Sequence, residues 1–430
     1  MCFNLPADVE KYLKRFGCDK YHLSKVPRKK YKMAVVIPAI CEYDNFLLLE
    51  KSLLENDCEN INEVIVIVVV NNSNSASAEI KKDNAKLIGH LKKNIPRKLQ
   101  FSLIDASSPG NEFDEKDAGV GLARKTGMDE ALRIFDYNSA GENILVCLDA
   151  DCIVEKNYFS AVFKAFSGGK MSAGYVNFAH QQATSEMNQR AIICYEIFMR
   201  YYVLGLKYAG SPYAFDTVGS TIVCNYKSYI KIQGMNKRKA AEDFYFLEKL
   251  SKTAEIKRIS ETTVFPSPRT SFRVPFGTGK GVYKFLNEDK DHYLLYHPEI
   301  FEILKKWNSI FLDSKIETAE YYMEHAEKIN PMLKVFLEIN DFNSSWIKIV
   351  KTSCGFEQIS KQKRFWFDGF RTLKLVHYLR DNNLGNINMF SALDDMFEKC
   401  GIVKISLNTE TYIPDISIQA EYLKKLRDFA

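Results

Sequence analysis

The sequence predicts an α/β fold built on a doubly wound sheet. Three observations indicate this: apolar runs with the length of buried strands recur, segments with helical spacing separate them, and polar or acidic residues follow the runs. The resulting βαβαβαβ order is typical of a parallel sheet with helices on both faces. The strands are predicted at residues 33–37, 63–70, 99–104 and 144–148.

Composition excludes several classes of protein. A net charge of +5 over 430 residues is too small to indicate a nucleic-acid partner. Ten cysteines without C-x-x-C or Cys/His metal spacing favour reduced thiols, and hence a cytoplasmic location. Residues 1–30 lack an apolar signal segment, and we expect no transmembrane segment, because the run 64–70 is too short and Glu196 and Arg200 interrupt 191–206.

The first half of the chain alternates strands and helices. Residues 1–30 are basic, and we expect a partly helical, solvated arm there. The strand 63–70 is nearly all β-branched, as fully buried parallel strands are. Helices are predicted within 39–54, at 81–93 and, after a glycine-rich start, at 119–132.

The fourth predicted strand runs directly into two carboxylates, Asp149 and Asp151. Ligands of open α/β sheets bind at the carboxyl ends of strands, so both side chains can turn toward one ligand. Two hard oxygen ligands suit Mg²⁺ or Mn²⁺ that carries phosphates. The alternative is that the two acids only cap the helix that follows.

Later segments are less regular. A long helix rich in aromatic residues is predicted at 187–207, and we expect most of these side chains to lie in the core. A turn leading into a strand is predicted at 215–223, where Gly219 and Ser220 would allow a ligand to approach the backbone. The loop 266–281 combines arginines and glycines; it is either a basic segment that closes over a diphosphate or a plain connector.

Five short motifs carry a resemblance to a known family. They are Ile37-Pro38-Ala39-Ile40-Cys41-Glu42, Val69-Val70-Asn71-Asn72-Ser73, Gly121-Leu122-Ala123-Arg124-Lys125-Thr126-Gly127, Leu148-Asp149-Ala150-Asp151, and Gly234-Met235-Asn236 with Ala241-Glu242-Asp243-Phe244. In this order, over about residues 33–250, they resemble the motifs of nucleotide-sugar glycosyltransferases with a GT-A fold, particularly the large family-2 type. The resemblance implies a mixed sheet of GT-A type at 31–281. The mainly helical region 282–430 lies outside it and is expected to be an accessory domain.

The resemblance implies transfer of a sugar from a nucleoside-diphosphate sugar to a hydroxyl acceptor such as a glycan. It implies that Asp149 faces the ribose or sugar and that Asp151 binds Mn²⁺ or Mg²⁺. Arg124 or Lys125 would add positive charge for the diphosphate. The remaining donor contacts that it implies are Pro38, Ala39, Glu42 and Asn71 at the first two strand ends, with Gly219 and Ser220 at the sugar. Many relatives have Asp where this chain has Asn71.

In inverting relatives the Asp of the Glu-Asp pair is the general base, and here that residue is Asp243. Glu242 beside it would position the acceptor or a metal-bound water. The alternative is that both acids stabilise the dipole of the helix that begins there. His292 or His297 is either a third metal ligand or an ordinary surface histidine.

Two other functions fit parts of the pattern. A nucleotidyltransferase shares a similar sheet and metal acids, but it usually has a glycine-rich, lysine-containing loop after the first strand, and the segment from Pro38 to Glu42 lacks both residues. A non-catalytic nucleotide- or sugar-binding module needs no general base. The sequence leaves the donor, the acceptor and the oligomeric state open, and it favours the transferase because Asp149, Asp151 and Asp243 are all present.

Overall fold

The computed structural model describes residues 5–93, 98–269, 277–288, 291–405 and 412–429. The chain divides into two compact units. The first, called the sheet unit, comprises Met1–Gln182 and Thr217–Lys280. The second, called the helical unit, comprises Ala183–Asp216 and Gly281–Ala430. The segment 183–216 therefore interrupts the sheet unit in sequence.

A single large sheet forms the core of the sheet unit. Its strands within the described ranges are β1 (Met33–Ala39), β2 (Val64–Asn71), β3 (Gln100–Ala106), β4 (Ile144–Cys147), β5 (Ile153–Val154), β6 (Ala173–Phe178), β7 (Ile222–Asn225) and β8 (Ile256–Phe265), in the order β3-β2-β1-β4-β7-β6-β8-β5. The four strands β1 to β4 are parallel, whereas β7 and β5 run antiparallel to their neighbours. Every residue of β2 is buried, as expected for a strand covered on both faces.

Helices pack against this sheet. In the sheet unit they are α1 (Ala7–Phe16), α2 (Tyr43–Leu54), α3 (Ala78–Lys92), α4 (Val120–Ile134), α5 (Tyr158–Phe166), α7 (Tyr226–Lys231) and α8 (Glu242–Ser251). Helix α3 begins earlier than predicted because the Ser77 side chain caps it, accepting a hydrogen bond from the Ile80 backbone N–H. Gly127 lets α4 approach β1 and β2 closely, since a Cβ there would lie 2.4 Å from Val36 Cγ1.

The N-terminal segment differs from the solvated arm that its charge suggests. Val9, Tyr12 and Leu13 of α1 are buried. The Tyr12 hydroxyl donates to Asp129 Oδ1 over 2.8 Å, and the Tyr229 hydroxyl donates to the same atom over 2.8 Å. The apolar stripe of α1 and this buried hydrogen-bond network hold the segment against the sheet unit, which the basic composition of the segment did not reveal.

The helical unit is built from helices of 9 to 23 residues around a core that is rich in aromatic side chains. Its elements are α6 (Glu186–Tyr208), most of α9 (Thr278–Asn287), α10 (Pro298–Phe311), α11 (Ala319–Ile329), α12 (Pro331–Ile339), α13 (Phe342–Thr352), α14 (Phe356–Trp366), α15 (Gly369–Leu379), α16 (Met389–Lys399), α17 (Ile416–Phe429), β9 (Leu294–Tyr296) and β10 (Asn386–Asn388). Trp307 is fully buried and stacks on Phe311, with 5.0 Å between ring centroids. Aromatic packing therefore contributes to this core, together with many aliphatic side chains.

The predicted fold class is confirmed: an α/β sheet unit with mixed strand directions accompanies a mainly helical C-terminal region. The sequence pattern predicts no strand between residue 282 and about residue 400, but β9 and β10 form a small antiparallel pair there. Three-residue strands are too short to show a periodic pattern. Within the described ranges, no helix combines the length and apolar character needed to cross a membrane.

Candidate functional site

The predicted donor-binding residues lie at one edge of the large sheet. Because β1, β2 and β4 are parallel neighbours, their carboxyl ends meet at the same edge. Pro38 and Ala39 end β1, Asn71 ends β2, and Asp149 and Asp151 follow β4. Strand β8 runs in the same direction as β4, since β7 is antiparallel to both β4 and β6 and β8 is parallel to β6. The segment after β8 therefore starts at this edge too.

An asparagine from α3, Asn84, joins the first two strand ends, and no sequence motif indicates it. Asn84 is buried; its side-chain oxygen accepts from the Cys41 backbone N–H over 2.9 Å, and its amide nitrogen donates to the Asn71 carbonyl over 3.0 Å. The Asn71 amide nitrogen donates in turn to the carbonyls of Val69, over 3.3 Å, and Ala39, over 3.5 Å. These bonds fix the relative position of the two strand ends.

Arg124 links Asp149 to Glu242, the residue next to the predicted general base Asp243. It enters the site from α4, where it is buried, and its Nη2 donates to Asp149 Oδ1 over 2.5 Å. Its Nη1 donates to Glu242 Oε1 at the start of α8. Burial would lower the pKa of the Arg124 guanidinium, but the carboxylates of Asp149 and Glu242 raise it above its ordinary value. Arg124 is therefore a fixed positive charge between two acids.

Arg124 and Lys125, the two candidate cations of the site, have different surroundings. Lys125 points elsewhere: its Nζ lies 2.9 Å from Asp129 Oδ2 and donates to the Tyr12 hydroxyl over 3.0 Å. Successive residues of a helix lie about 100° apart around its axis, so adjacent side chains face different surroundings. Arg124 faces the acids, and Lys125 belongs to the network that holds α1.

Gly219 packs directly against the Arg124 guanidinium. A Cβ at this position would lie 2.6 Å from both terminal nitrogens of Arg124. Ser220, next to it, is buried. The short helical turn Gly219–Thr221 before β7 thus supports the guanidinium, and glycine is required there for space rather than for backbone conformation.

Gly219→Ala should therefore destabilise the protein by about 1–3 kcal/mol, the usual cost of overpacking a filled site. Urea unfolding followed by circular dichroism measures this. Gly89→Ala is the matched control, because a Cβ at Gly89 in α3 meets nothing within 4 Å; it should be neutral or add up to about 1 kcal/mol of helix stability. Equal stability of the two alanine variants would show that Gly219 does not support Arg124.

A second arginine, Arg269, pairs with the other acid. It lies four residues beyond the end of β8, and its Nε donates to Asp151 Oδ2 over 3.0 Å. Its Nη2 donates to Glu42 Oε1, and the Asn45 amide nitrogen donates to Glu42 Oε2 over 2.7 Å. Of the loop 266–281, in which the sequence analysis placed a diphosphate-closing segment or a connector, residues 270–276 lie outside the described ranges.

Strained backbone precedes both glutamates that pair with the arginines of the site, Glu42 and Glu242. Cys41 has φ 55° and Ala241 has φ 56°, left-handed values that are uncommon for residues other than glycine. Cys41 precedes Glu42 and Ala241 precedes Glu242 at the first position of α8. Such strain costs of order 1–3 kcal/mol and clusters at functional sites. No sequence signal predicts a left-handed Cys or Ala.

Burial shifts the ionisation of the acids. It raises the pKa of Asp151 to about 6, with a further rise from the Glu42 charge, while Arg269 opposes it. Burial raises the pKa of Glu242 to about 7 against the opposing charge of Arg124. The pKa of Asp243 is also raised by burial and lowered in part by Arg124, and Asp243 Oδ1 accepts a hydrogen bond from the Phe244 backbone N–H over 2.7 Å.

The two candidate histidines have structural partners. The His297 Nδ1 caps α10 by accepting from the Glu299 backbone N–H over 3.1 Å. The His292 Nε2 lies 3.3 Å from the Glu288 carbonyl oxygen. Capping accounts for His297 without a metal, and neither contact indicates a metal ligand.

The acid pair fits a hard divalent cation in its donor chemistry. Within the described ranges, Arg124 donates to Oδ1 of Asp149 and Arg269 donates to Oδ2 of Asp151, so these bonds leave the second carboxylate oxygen of each acid for a cation. No cluster of three or more Asp, Glu, His or Cys with metal-binding geometry occurs in those ranges. Mg²⁺ and Mn²⁺ suit such a site, because Mg²⁺ commonly takes one or two carboxylates and completes its shell with water and substrate phosphates.

Comparisons with known proteins give distant structural likeness only. No family model matches the sequence, and no curated protein matches it. TarS residues 1–349 from S. aureus in complex with UDP-GlcNAc is 12% identical, with 82% of this chain and 92% of that chain covered and a TM-score of 0.38. The mannosyltransferase PcManGT from Pyrobaculum calidifontis in complex with GDP-Man and Mn²⁺ is 12% identical, with 87% and 94% covered and a TM-score of 0.37. Both similarities are too low to assign a function.

Proposed function

We propose that this protein is a glycosyltransferase that moves a sugar from a nucleoside-diphosphate sugar to a hydroxyl acceptor with a divalent cation. One observation carries the proposal: the ion-pair chain Asp149–Arg124–Glu242 connects the acids after β4 to the start of α8, where Asp243 lies. In this proposal the acid pair holds the cation that carries the phosphates, and a separate carboxylate, Asp243, takes the proton. Glycosyl transfer needs both groups.

The acid pair serves the leaving group. Departure of the nucleoside diphosphate develops negative charge, which a bound Mn²⁺ or Mg²⁺ offsets as a Lewis acid. Asp149 and Asp151 would hold this cation together with the diphosphate oxygens. Pro38, Ala39, Glu42 and Asn71, at the ends of β1 and β2 or just beyond them, would contact the nucleoside. Gly219 and Ser220 would line the sugar pocket.

Asp243 is the general base of this proposal, and the transfer is inverting. Glu242 is buried, 4% exposed, and its Oε1 is committed to Arg124, whereas Asp243 beside it is only half-buried. Asp243 therefore has the better access to an acceptor hydroxyl. Burial raises the pKa of Asp243, which makes its carboxylate a stronger base than an exposed aspartate. Glu242 positions Arg124.

A cytoplasmic location is part of the proposal. Its support is compositional: ten cysteines occur without the spacing of a disulfide framework or a metal site. The accessory role of residues 282–430 is likewise proposed, in shaping the acceptor site or in oligomerisation.

Asp151→Asn should abolish the cation-dependent part of nucleotide binding. The wild-type protein should gain thermal stability from a nucleoside diphosphate with Mn²⁺, and a ligand at 100 times its Kd adds about 2.7 kcal/mol. The asparagine variant should show little of this gain, because it loses the carboxylate charge. The measurement is a thermal unfolding screen of nucleoside diphosphates with and without Mn²⁺.

The matched control for that screen is Glu255→Gln. Glu255 is exposed and immediately precedes β8, at the opposite edge of the sheet from the acid pair. It should respond to nucleotide and Mn²⁺ as the wild type does. An Asp151→Asn protein that binds a nucleoside diphosphate with Mn²⁺ as tightly as the wild type would refute the metal assignment.

A further inference from the structure

Arg269 lies beside Asp151, the acid to which the proposed function assigns the cation. Its Nε and Nη2 both lie 3.0 Å from Asp151 Oδ2, and Nη2 also pairs with Glu42 Oε1. The guanidinium thus bridges two carboxylates from different strand ends. The Arg269 side chain is 31% exposed, so solvent reaches part of it.

The backbone before Arg269 is anchored beside the acid. The Gln181 backbone N–H donates to the Pro266 carbonyl over 3.0 Å. The Gln181 amide nitrogen donates to the carbonyls of Phe265, over 2.7 Å, and Asp151, over 3.1 Å. This glutamine ties the end of β8 to the turn that carries Asp151. The chain therefore leaves β8 beside Asp151, four residues before Arg269.

One guanidinium, that of Arg269, pairs with two carboxylates, Asp151 and Glu42, and carries a single positive charge. A divalent cation on Asp151 would bring two positive charges to the same place. Like charges a few ångströms apart repel strongly outside bulk water, so the cation and the guanidinium cannot both stay on Asp151 without loss of binding energy.

We propose that Arg269 is an internal counter-ion that competes with the divalent cation for Asp151. The inference rests on the proposed function, because it assigns the cation to Asp151. In the absence of nucleotide, Arg269 holds Asp151 and keeps Mn²⁺ binding weak. The diphosphate of a donor offers Arg269 another anionic partner. Cation and donor then bind together more readily than the cation alone.

Removing the guanidinium should strengthen binding of Mn²⁺ alone. In Arg269→Gln we expect Mn²⁺ to bind about tenfold more tightly than in the wild type, the change that loss of one charge-assisted competing interaction produces. The measurement is titration of the nucleotide-free full chain with Mn²⁺, followed by electron paramagnetic resonance of the free ion. Arg269→Lys keeps the positive charge but loses the planar guanidinium that can pair with two carboxylate oxygens at once. Its affinity for Mn²⁺ should therefore lie between those of the wild type and Arg269→Gln.

Arg133→Gln is the matched control. Arg133 is 32% exposed and, like Arg269, pairs with two carboxylates, Asp19 and Glu130, but it lies on α4 away from the acid pair. The Arg133→Gln substitution removes the same charge from the sheet unit and should leave the affinity for Mn²⁺ unchanged. If Arg133→Gln raised the affinity for Mn²⁺ as much as Arg269→Gln does, net charge would explain the effect and the proposal would be overturned.

The outcomes separate this inference from the proposed function. If Arg269→Gln binds Mn²⁺ no more tightly than the wild type, while Asp151→Asn weakens binding, the metal assignment stands and the competition is refuted. If Asp151→Asn changes Mn²⁺ binding in neither the wild-type nor the Arg269→Gln background, the metal assignment fails and the competition fails with it. Circular dichroism of each variant confirms that it is folded.

Discussion

Asp243→Asn is expected to lower the turnover of sugar transfer by about 10²–10⁴-fold, the usual contribution of a general base. The amide keeps the size of the side chain but accepts no proton at neutral pH. The affinity for nucleoside diphosphate with Mn²⁺ should stay close to that of the wild type, because Asp243 is not among the acids assigned to the cation. The loss should therefore fall on kcat rather than on nucleotide binding.

Glu255→Gln controls for the removal of an acid from the same unit and should keep full turnover. Steady-state kinetics with one donor, together with the nucleotide titration, distinguishes the two variants. The stereochemistry of the product gives an independent check, since a direct displacement assisted by Asp243 inverts the anomeric centre. Near wild-type turnover of Asp243→Asn, or a product that keeps the configuration of the donor, would exclude Asp243 as the base.

Arg124→Met is expected to cost about 3–5 kcal/mol of unfolding free energy, as removal of one partner from a buried ion pair does. Methionine fills a similar length without charge. Asp149 and Glu242 would then lose their shared counter-charge, and Glu242 is buried. Because Asp149 is 35% exposed and can recruit water, the lower part of that range is expected. Urea unfolding followed by circular dichroism measures the loss.

A second substitution separates charge from packing. In the Arg124→Met background, Glu242→Gln removes the buried carboxylate that has lost its arginine partner. The double variant should therefore recover part of the lost unfolding free energy. Arg133→Gln, at a partly exposed pair of the same helix, should cost no more than about 1 kcal/mol. If Arg124→Met costs no more than this control, the chain Asp149–Arg124–Glu242 does not hold the site together.

Local patterns in the sequence were sufficient to predict the sheet and the acids at its edge. The β-branched run of β2 and the apolar run before Asp149 are strong strand signals, and strand direction then brings their ends together. The short strands β9 and β10 carry no such signal. Helix α3 begins a few residues before its predicted start, because the Ser77 side chain caps its N-terminus.

Local sequence patterns could not predict which residues pair with the acids of the site. Arg269 meets Asp151 across 118 residues of sequence and Glu42 across 227. A sequence motif showed that an arginine and a lysine stand together in α4, but only the rotation of that helix shows that Arg124 faces the site. In the same way, the burial of Tyr12 against Asp129 follows from tertiary packing and not from the basic composition of residues 1–30.

The most direct test of the proposed function is the release of nucleoside diphosphate from a panel of sugar nucleotides with Mn²⁺. Water can serve as a slow acceptor, so the assay does not require the natural one. We predict release from at least one donor, dependent on Mn²⁺ and lost in both Asp151→Asn and Asp243→Asn. Folded wild-type protein that releases nucleoside diphosphate from no donor, but forms pyrophosphate from a nucleoside triphosphate and a sugar phosphate, would contradict the proposal and indicate a nucleotidyltransferase.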